Sequence, residues 1–281
     1  MGVRVNTSLR RAPRWSKKTD ELVRYVAPGC RPGLQLELGQ WLEESSRFRA
    51  FVTANQEKVR KKLSSTDEQS RLDVRAELLV AYLILSDRRF EVAFETYGAR
   101  RLGPDLTVTY RSNQRFNLEV TRLRATGDAD DSAGDATSGV TPGLDDTSGT
   151  DPGSRGPGSG VARLATIIGA KLRQLPGDAS NGLVITTRGL SLHEESLAAA
   201  VRLLKTHGDR KDDAFFARRG LKDARDFHVQ FLHLGGIVVL DEAPASRRVI
   251  AFTNREARHP LPREAVAAFT ACVTLARATP A

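Results

Sequence analysis

The sequence contains only two cysteines, Cys30 and Cys272, among its 281 residues. Two cysteines so far apart form neither a zinc cluster nor a disulfide framework, and such sparse usage is typical of a reducing compartment. No stretch approaches ~20 consecutive apolar residues, so no transmembrane helix is expected. No apolar segment follows the basic N-terminus as a secretory signal would require. We therefore expect a cytoplasmic protein without a membrane partner.

The sequence also lacks several motifs that carry well-known chemistries. It has no glycine-rich loop of the kind that binds nucleotide phosphates, and no nucleophile elbow for a serine hydrolase. Its five histidines have no spacing typical of a metal site. These absences argue against NTPases, dinucleotide-dependent enzymes, serine hydrolases and histidine-based metal sites.

Acidic residues are outnumbered by basic ones outside one segment of the chain. Residues 126–160 carry seven Asp against one Arg, a local charge of −6, so the rest of the chain carries +15 against +9 for the whole. A folded part this basic favours a polyanionic partner, because neutralising phosphates releases condensed counterions. The alternative is that the charge reflects an arginine-rich proteome, in which case the chain is an interaction protein without a nucleic-acid partner.

The segment 126–160 is composed almost entirely of Gly, Ser, Thr, Ala, Asp and Pro, with no aromatic residue. Such a segment cannot bury enough apolar surface to offset the entropy of ordering it, so we predict a disordered insertion. Patterned sequence continues on both sides. Residues 1–66 are predicted as a basic arm with an N-terminal helical region, and residues 67–281 as one domain that contains the insertion.

The periodicity of apolar residues predicts a mixed α/β or α+β fold. Helices are predicted at 34–63, about 68–87, 161–175, from a capping box at Ser191 to about 206, and 262–277. Strands are predicted at 90–97, 106–110, 115–121, 182–187, 228–232, 236–241 and 247–253.

Three acidic residues lie on the central elements of this pattern. Glu77 interrupts an otherwise apolar helix, where an unpaired carboxylate would be costly; a salt bridge to Arg75 or Arg100 is its structural alternative. Asp105 opens a strand after Gly-Pro, and Glu119 lies inside the next strand. If the turn between these strands is centred on Ser112, Asp105 and Glu119 pair and share one face; a half-step shift places them on opposite faces.

Two carboxylates on one face suit Mg²⁺ (or Mn²⁺), which takes oxygen ligands and typically uses one or two carboxylates plus substrate phosphate. In phosphodiester hydrolysis such a metal activates a water and neutralises developing charge.

This pattern resembles the PD-(D/E)XK, or restriction-endonuclease-like, nuclease superfamily. The residues that carry the resemblance are Glu77 on a helix, Pro104-Asp105 at a strand start and Glu119-Val120-Thr121 on the next strand. The order helix–strand–strand–strand–helix–strand over about 68–187 also resembles the family core. The resemblance implies a central mixed β-sheet flanked by helices, with Asp105 and Glu119 as metal ligands and Glu77 assisting.

The chain departs from the family pattern at Thr121, where the family has lysine. In some members the lysine lies on the following helix, which makes Lys171 the candidate, with Gln174 one turn further on. Arg122 or Arg124 is the alternative, although Arg122 should face away from Glu119.

The predicted function is a Mg²⁺-dependent endonuclease that hydrolyses DNA phosphodiester bonds. The alternative is a catalytically inactive nucleic-acid-binding or assembly module on the same fold. The sequence does not distinguish DNA from RNA, and it leaves a homodimer open.

Overall fold

The computed structural model describes residues 15–95, 103–124, 158–188, 192–242 and 248–275. The chain divides into two compact units, Met1–Arg88 and Arg89–Ala281. The predicted division after residue 66 assigned the second helix to the sheet domain, whereas this helix belongs to the first unit. Most of the predicted insertion at 126–160 lies outside the described residues.

The first unit is helical. Its described helices are α1 (Lys17–Val26), α2 (Pro32–Glu44), α3 (Ser46–Ala54), α4 (Gln56–Leu63) and α5 (Glu68–Leu85).

Two expectations for the first unit were wrong. The single helix predicted at 34–63 breaks at Ser45 and at Asn55. Ser45 is extended, and its hydroxyl accepts from the Phe48 N–H at 3.1 Å, because short polar side chains compete for backbone partners and so favour helix ends. Helix α1 also begins inside the predicted basic arm, with Ser16 as its N-cap.

The second unit is built on six strands: β1 (Phe90–Phe94), β2 (Leu106–Tyr110), β3 (Gln114–Leu123), β4 (Asn181–Thr187), β5 (Gly236–Asp241) and β6 (Arg248–Thr253). They form one sheet in the order β1-β2-β3-β4-β5-β6. The pairs β3-β4 and β4-β5 are parallel and the other three pairs are antiparallel. The helices of this unit are α6 (Gly158–Leu172), α7 (Glu194–Asp209), α8 (Asp213–Ala217), α9 (Ala224–Phe231) and α10 (Arg263–Leu275). The prediction of a mixed α/β fold, with a mixed sheet flanked by helices, is confirmed.

The strand predicted at 228–232 is wrong, because this segment belongs to helix α9. Asp223 caps the helix, with its carboxylate accepting from the Asp226 N–H at 2.7 Å. Phe227 and Phe231, four residues apart, both lie in the core. Phe231 therefore pairs at helical spacing with Phe227, which lies outside the segment HVQFL on which the strand prediction rested. His228 lies in this helix and His233 lies just after it.

Two predicted helix starts are also shifted. Helix α7 begins at Glu194, and its N-cap is His193 without a side-chain cap, so the expected capping box at Ser191 is not its start; Ser191 itself lies outside the described residues. Helix α6 begins at Gly158, three residues earlier than expected. The first predicted strand ends at Phe94, because Glu95 has a left-handed backbone (φ 47°).

One face of the sheet packs against α6, α7, α8 and α9. Each buried aliphatic side chain of this kind contributes roughly 2 kcal/mol. The buried residues on this face are Leu123, Leu183, Ile185, Ile237, Val239 and Ile250 from the strands, with Leu164, Ile168, Leu172, Leu197, Val201, Leu204, Phe216, Phe227 and Phe231 from the helices.

The hairpin between β2 and β3 fixes the register on which the site depends. Leu106 pairs with Leu118 and Tyr110 with Gln114, so the turn is centred on Ser112 and the favourable register is confirmed. Both Arg111 (φ 49°) and Ser112 (φ 63°) adopt left-handed backbone conformations. Non-glycine residues are disfavoured there by the contact of Cβ with the following carbonyl.

We therefore expect Ser112→Gly to raise the free energy of unfolding of the sheet unit by about 0.5–1 kcal/mol, because glycine removes that contact. Urea denaturation measures the change. The matched control is Asn113→Gly at the neighbouring exposed turn position, which should lower stability slightly through unfolded-state entropy. Equal effects of the two substitutions would contradict the strain at Ser112.

Candidate active site

Glu119 lies in the middle of β3 on the face that packs against α6. Its parallel partner on β4 is Leu183, a member of the core on that face. The residue is 2% exposed. A carboxylate buried to this degree requires compensation, because desolvation of a lone charge costs several kcal/mol.

Lys171 contributes that compensation from the last turn of α6. Its Nζ donates to Glu119 Oε1 at 2.7 Å, and the Lys171 side chain keeps a quarter of its surface exposed. The apolar residues Leu164, Ile168 and Leu172 pack α6 against the sheet. Lys171, next to Leu172, therefore lies at the edge of the buried surface. Its apolar stem covers core atoms while its ammonium reaches the strand.

Gln174 fixes the ammonium from the other side. Its Oε1 accepts from Lys171 Nζ at 3.0 Å, and its backbone N–H donates to the Lys171 carbonyl. The structure thus brings together Glu119, Lys171 and Gln174, three residues that the sequence singled out. Their catalytic role stays a prediction.

Asp105 lies one residue before β2, beside buried Pro104. The pairing of Leu106 with Leu118 places it opposite Glu119. Its Oδ2 accepts from the Val120 N–H at 2.8 Å, and its carbonyl accepts from the Glu95 N–H at 2.9 Å. The Asp105 carboxylate is therefore held against β3 within one residue of Glu119.

The positions considered for the displaced lysine separate clearly on β3. Thr121 lies on the same face as Glu119, because residues two apart in a strand share a face. Arg122 alternates to the opposite face, as expected, and Arg124 follows the end of the strand at Leu123.

A buried polar network beside Glu119 was missed as part of the site. The Thr107 hydroxyl donates to Asn117 Oδ1 at 3.1 Å, and Asn117 Nδ2 donates to Asn181 Oδ1 at 3.1 Å. Asn181 Nδ2 lies within hydrogen-bond distance of the carbonyls of Pro176 and Ala179. The network therefore ties the connection that follows Gln174 to β3. The available signal was alternation, which places Asn117 on the face of Glu119.

Glu77 lies in α5 of the first unit and is 7% exposed. Its Oε2 accepts from Lys62 Nζ at 2.6 Å. Arg75, which the sequence offered as a structural partner, pairs with Glu37, and Arg100 lies outside the described residues. The ion pair with Lys62 supplies the compensation that a buried carboxylate needs, and assistance by Glu77 in catalysis stays a prediction.

The donor set at Asp105 and Glu119 fits Mg²⁺. Among the described residues, no group of three or more His, Cys, Asp or Glu side chains is arranged to hold a metal ion. Mg²⁺ keeps several waters, however, and commonly uses one or two carboxylates together with substrate phosphate. Two carboxylates placed opposite each other on neighbouring strands meet that requirement.

No protein-family model matches the chain, and no curated protein or solved structure matches it either. The resemblance to the PD-(D/E)XK superfamily therefore stays a prediction. Within the described part of the chain, no helix is long and apolar enough to cross a membrane.

Proposed function

We propose that this protein is a Mg²⁺-dependent endonuclease that hydrolyses DNA phosphodiester bonds, acting in the cytoplasm. The observation that carries the proposal is the 2.7 Å contact of Lys171 Nζ with Glu119 Oε1, beside an aspartate held at the same point of β3. The family has a strand lysine at the position that Thr121 occupies here. Lys171, on the helix after β3, would take the place of that lysine. This arrangement supports the resemblance to the PD-(D/E)XK core.

Each residue has a distinct part in the proposed reaction. Asp105 and Glu119 would hold Mg²⁺, which when bound lowers the pKa of a coordinated water and neutralises phosphate charge. Lys171 places a positive charge next to the reacting phosphate, where fixed charges in a partly buried site stabilise developing negative charge most strongly. Gln174 holds the Lys171 ammonium in that orientation.

The charge of the chain supports a nucleic-acid substrate. Outside residues 126–160 the net charge is +15, the difference between +9 for the whole chain and −6 for that segment. Such an excess attracts phosphate backbones and accelerates their encounter with the protein.

A specific observation favours the alternative, a catalytically inactive nucleic-acid-binding module. The Lys171 ammonium already compensates the charge of Glu119 through a direct contact, as in a purely structural ion pair. In that case the pair stabilises the fold and no metal enters.

Incubation of the purified full chain with supercoiled plasmid separates the two functions. With Mg²⁺ or Mn²⁺ we expect conversion to nicked and linear DNA, and with EDTA we expect none. Plasmid that stays supercoiled with both metals but is retained by the protein at low salt would favour the binding module. Absence of both cleavage and retention would exclude both functions, and a parallel assay on labelled RNA tests the preference for DNA.

A further inference from the structure

A polar cleft of about 450 Å³ lies at the end of the sheet where β3 begins. Pairing of β3 with β4 starts only at Asn117 and Asn181, so Gln114–Phe116 extend beyond the start of β4. The space that this leaves is lined by Arg115 and Asn117 on one side and by Asp178, Ser180 and His259 on the other. All of these residues belong to the second unit.

The walls of the cleft are held by hydrogen bonds. The Asn117 N–H donates to the Ser180 carbonyl at 2.8 Å, and the Ser180 hydroxyl donates to the Pro260 carbonyl at 3.2 Å. Asn181 ties the preceding loop through the carbonyls of Pro176 and Ala179. A ligand would therefore meet a preformed surface, which lowers the entropic cost of binding.

The lining of the cleft carries one arginine, one aspartate and one histidine. Arg115 and His259 are exposed at its rim, with Arg258 next in the chain. Burial, and then the positive charges of Arg258 and His259, hold the pKa of His233 below its usual value. The His233 ring lies against the same loop, because a Cβ at Gly177 would meet its Nε2 at 2.9 Å. Asp178 is the acidic residue of the lining, and it is exposed at the lip.

The cleft is aligned with the candidate active site. Arg115, Asn117 and Glu119 follow one another on the same face of β3, and residues two apart in a strand are separated by about 6.8 Å. The cleft therefore begins about 7 Å from Glu119 along the strand and reaches Arg115 at about 14 Å.

We propose that this cleft binds a further phosphate group of the nucleic-acid strand whose reacting phosphate lies at Glu119, through Arg115 and His259. The nature of the ligand rests on the proposed function, since Arg115 and His259 alone indicate only an anionic group. Arg115 supplies a guanidinium whose paired N–H groups match phosphate oxygens, and His259 lines the same cleft. The subsite would fix the register of the strand relative to Glu119 and Lys171.

The test is fluorescence anisotropy with a labelled oligonucleotide in EDTA, which prevents metal-dependent cleavage. We expect Arg115→Gln to weaken binding about tenfold and to reduce the salt dependence by about one phosphate contact. His259→Gln should weaken binding to a smaller extent. The matched control is Arg202→Gln, which removes the same charge from an exposed position of α7 and should leave the affinity within about twofold. Unchanged Tm values verify that the variants fold.

The subsite would be overturned if Arg115→Gln and His259→Gln both left the oligonucleotide affinity unchanged. It would also be overturned if Arg202→Gln reduced the affinity as much as Arg115→Gln does. A second arm measures competition by inorganic phosphate. If phosphate binds wild-type protein in an Arg115-dependent manner while oligonucleotide affinity does not depend on Arg115, the cleft serves a small phosphate ligand and the proposal fails. Plasmid nicking tests the proposed function separately. Binding that depends on Arg115, without plasmid cleavage, would support the subsite and exclude the nuclease activity. Plasmid cleavage, with binding that does not depend on Arg115, would support the nuclease activity and exclude the subsite.

Discussion

Glu119→Gln is expected to reduce Mg²⁺-dependent plasmid nicking by at least about a hundredfold. The amide keeps the size of the side chain, and its oxygen still accepts from Lys171, but it removes the negative charge that would hold the metal. Loss of one preorganised electrostatic group in an active site typically lowers rates by about 10²–10³. Initial rates of conversion of supercoiled plasmid, with protein concentration and Mg²⁺ matched, measure the effect.

The matched control is Glu91→Gln. Glu91 is an exposed carboxylate on β1, on the same face of the sheet, so its replacement removes the same charge from the same sheet and should leave the rate within about twofold. Equal rates for wild type and Glu119→Gln would exclude Glu119 from catalysis. A strong loss of nicking activity in Glu91→Gln would indicate that the rate depends on the total charge of the sheet and not on Glu119 in particular.

Lys171→Met is expected to lower both stability and activity. Methionine keeps the apolar stem but leaves the Glu119 carboxylate, whose side chain is 3% exposed, without the ammonium. Removal of one partner of a buried ion pair destabilises by roughly 3–5 kcal/mol; because Lys171 itself is partly exposed, we expect about 2–3 kcal/mol by the same reasoning. Urea denaturation in EDTA gives this value, and nicking should fall by about a hundredfold.

The response to Mg²⁺ separates a metal site from a structural ion pair. In Lys171→Met a bound divalent cation would replace the missing positive charge, so Mg²⁺ should raise the Tm of this variant more than that of wild type. Lys171→Met combined with Glu119→Gln should be more stable than Lys171→Met alone, with a coupling of about 1–3 kcal/mol between the sites. Additive effects and an identical response to Mg²⁺ would contradict the coupling of Lys171 to a metal-binding Glu119.

Local patterning was sufficient for most of the sheet. Alternation in LTVTY and RFNLEVT, with a short polar segment between them, predicted β2 and β3. It left two registers of the turn open, and the structure has the one centred on Ser112. The predictions of secondary structure failed where tertiary contacts or side-chain caps determine whether a segment forms a helix. HVQFL forms helix α9 because Asp223 caps it and Phe227 and Phe231 pack into the core. The long helix predicted at 34–63 breaks where Ser45 and Asn55 bond to the backbone.

The candidate site follows the same division. Asp105 and Glu119 could be placed on one face from the strand pattern, and Lys171 could be selected because the pattern lacked a lysine at Thr121. The Thr107–Asn117–Asn181 network depends on β4 adding in parallel beside β3, which local sequence does not specify. Local sequence likewise does not specify the partner Lys62 of Glu77, fifteen residues away on another helix.

Diffraction from crystals grown with Mn²⁺ tests the central claim most directly, because the anomalous signal locates the ion without reference to activity. The claim predicts a peak between Asp105 and Glu119, with carboxylate oxygens of both at about 2.1 Å and the Lys171 ammonium moved away from Glu119. A map with no peak at these carboxylates, and with Lys171 still bonded to Glu119 at saturating Mn²⁺, would contradict it.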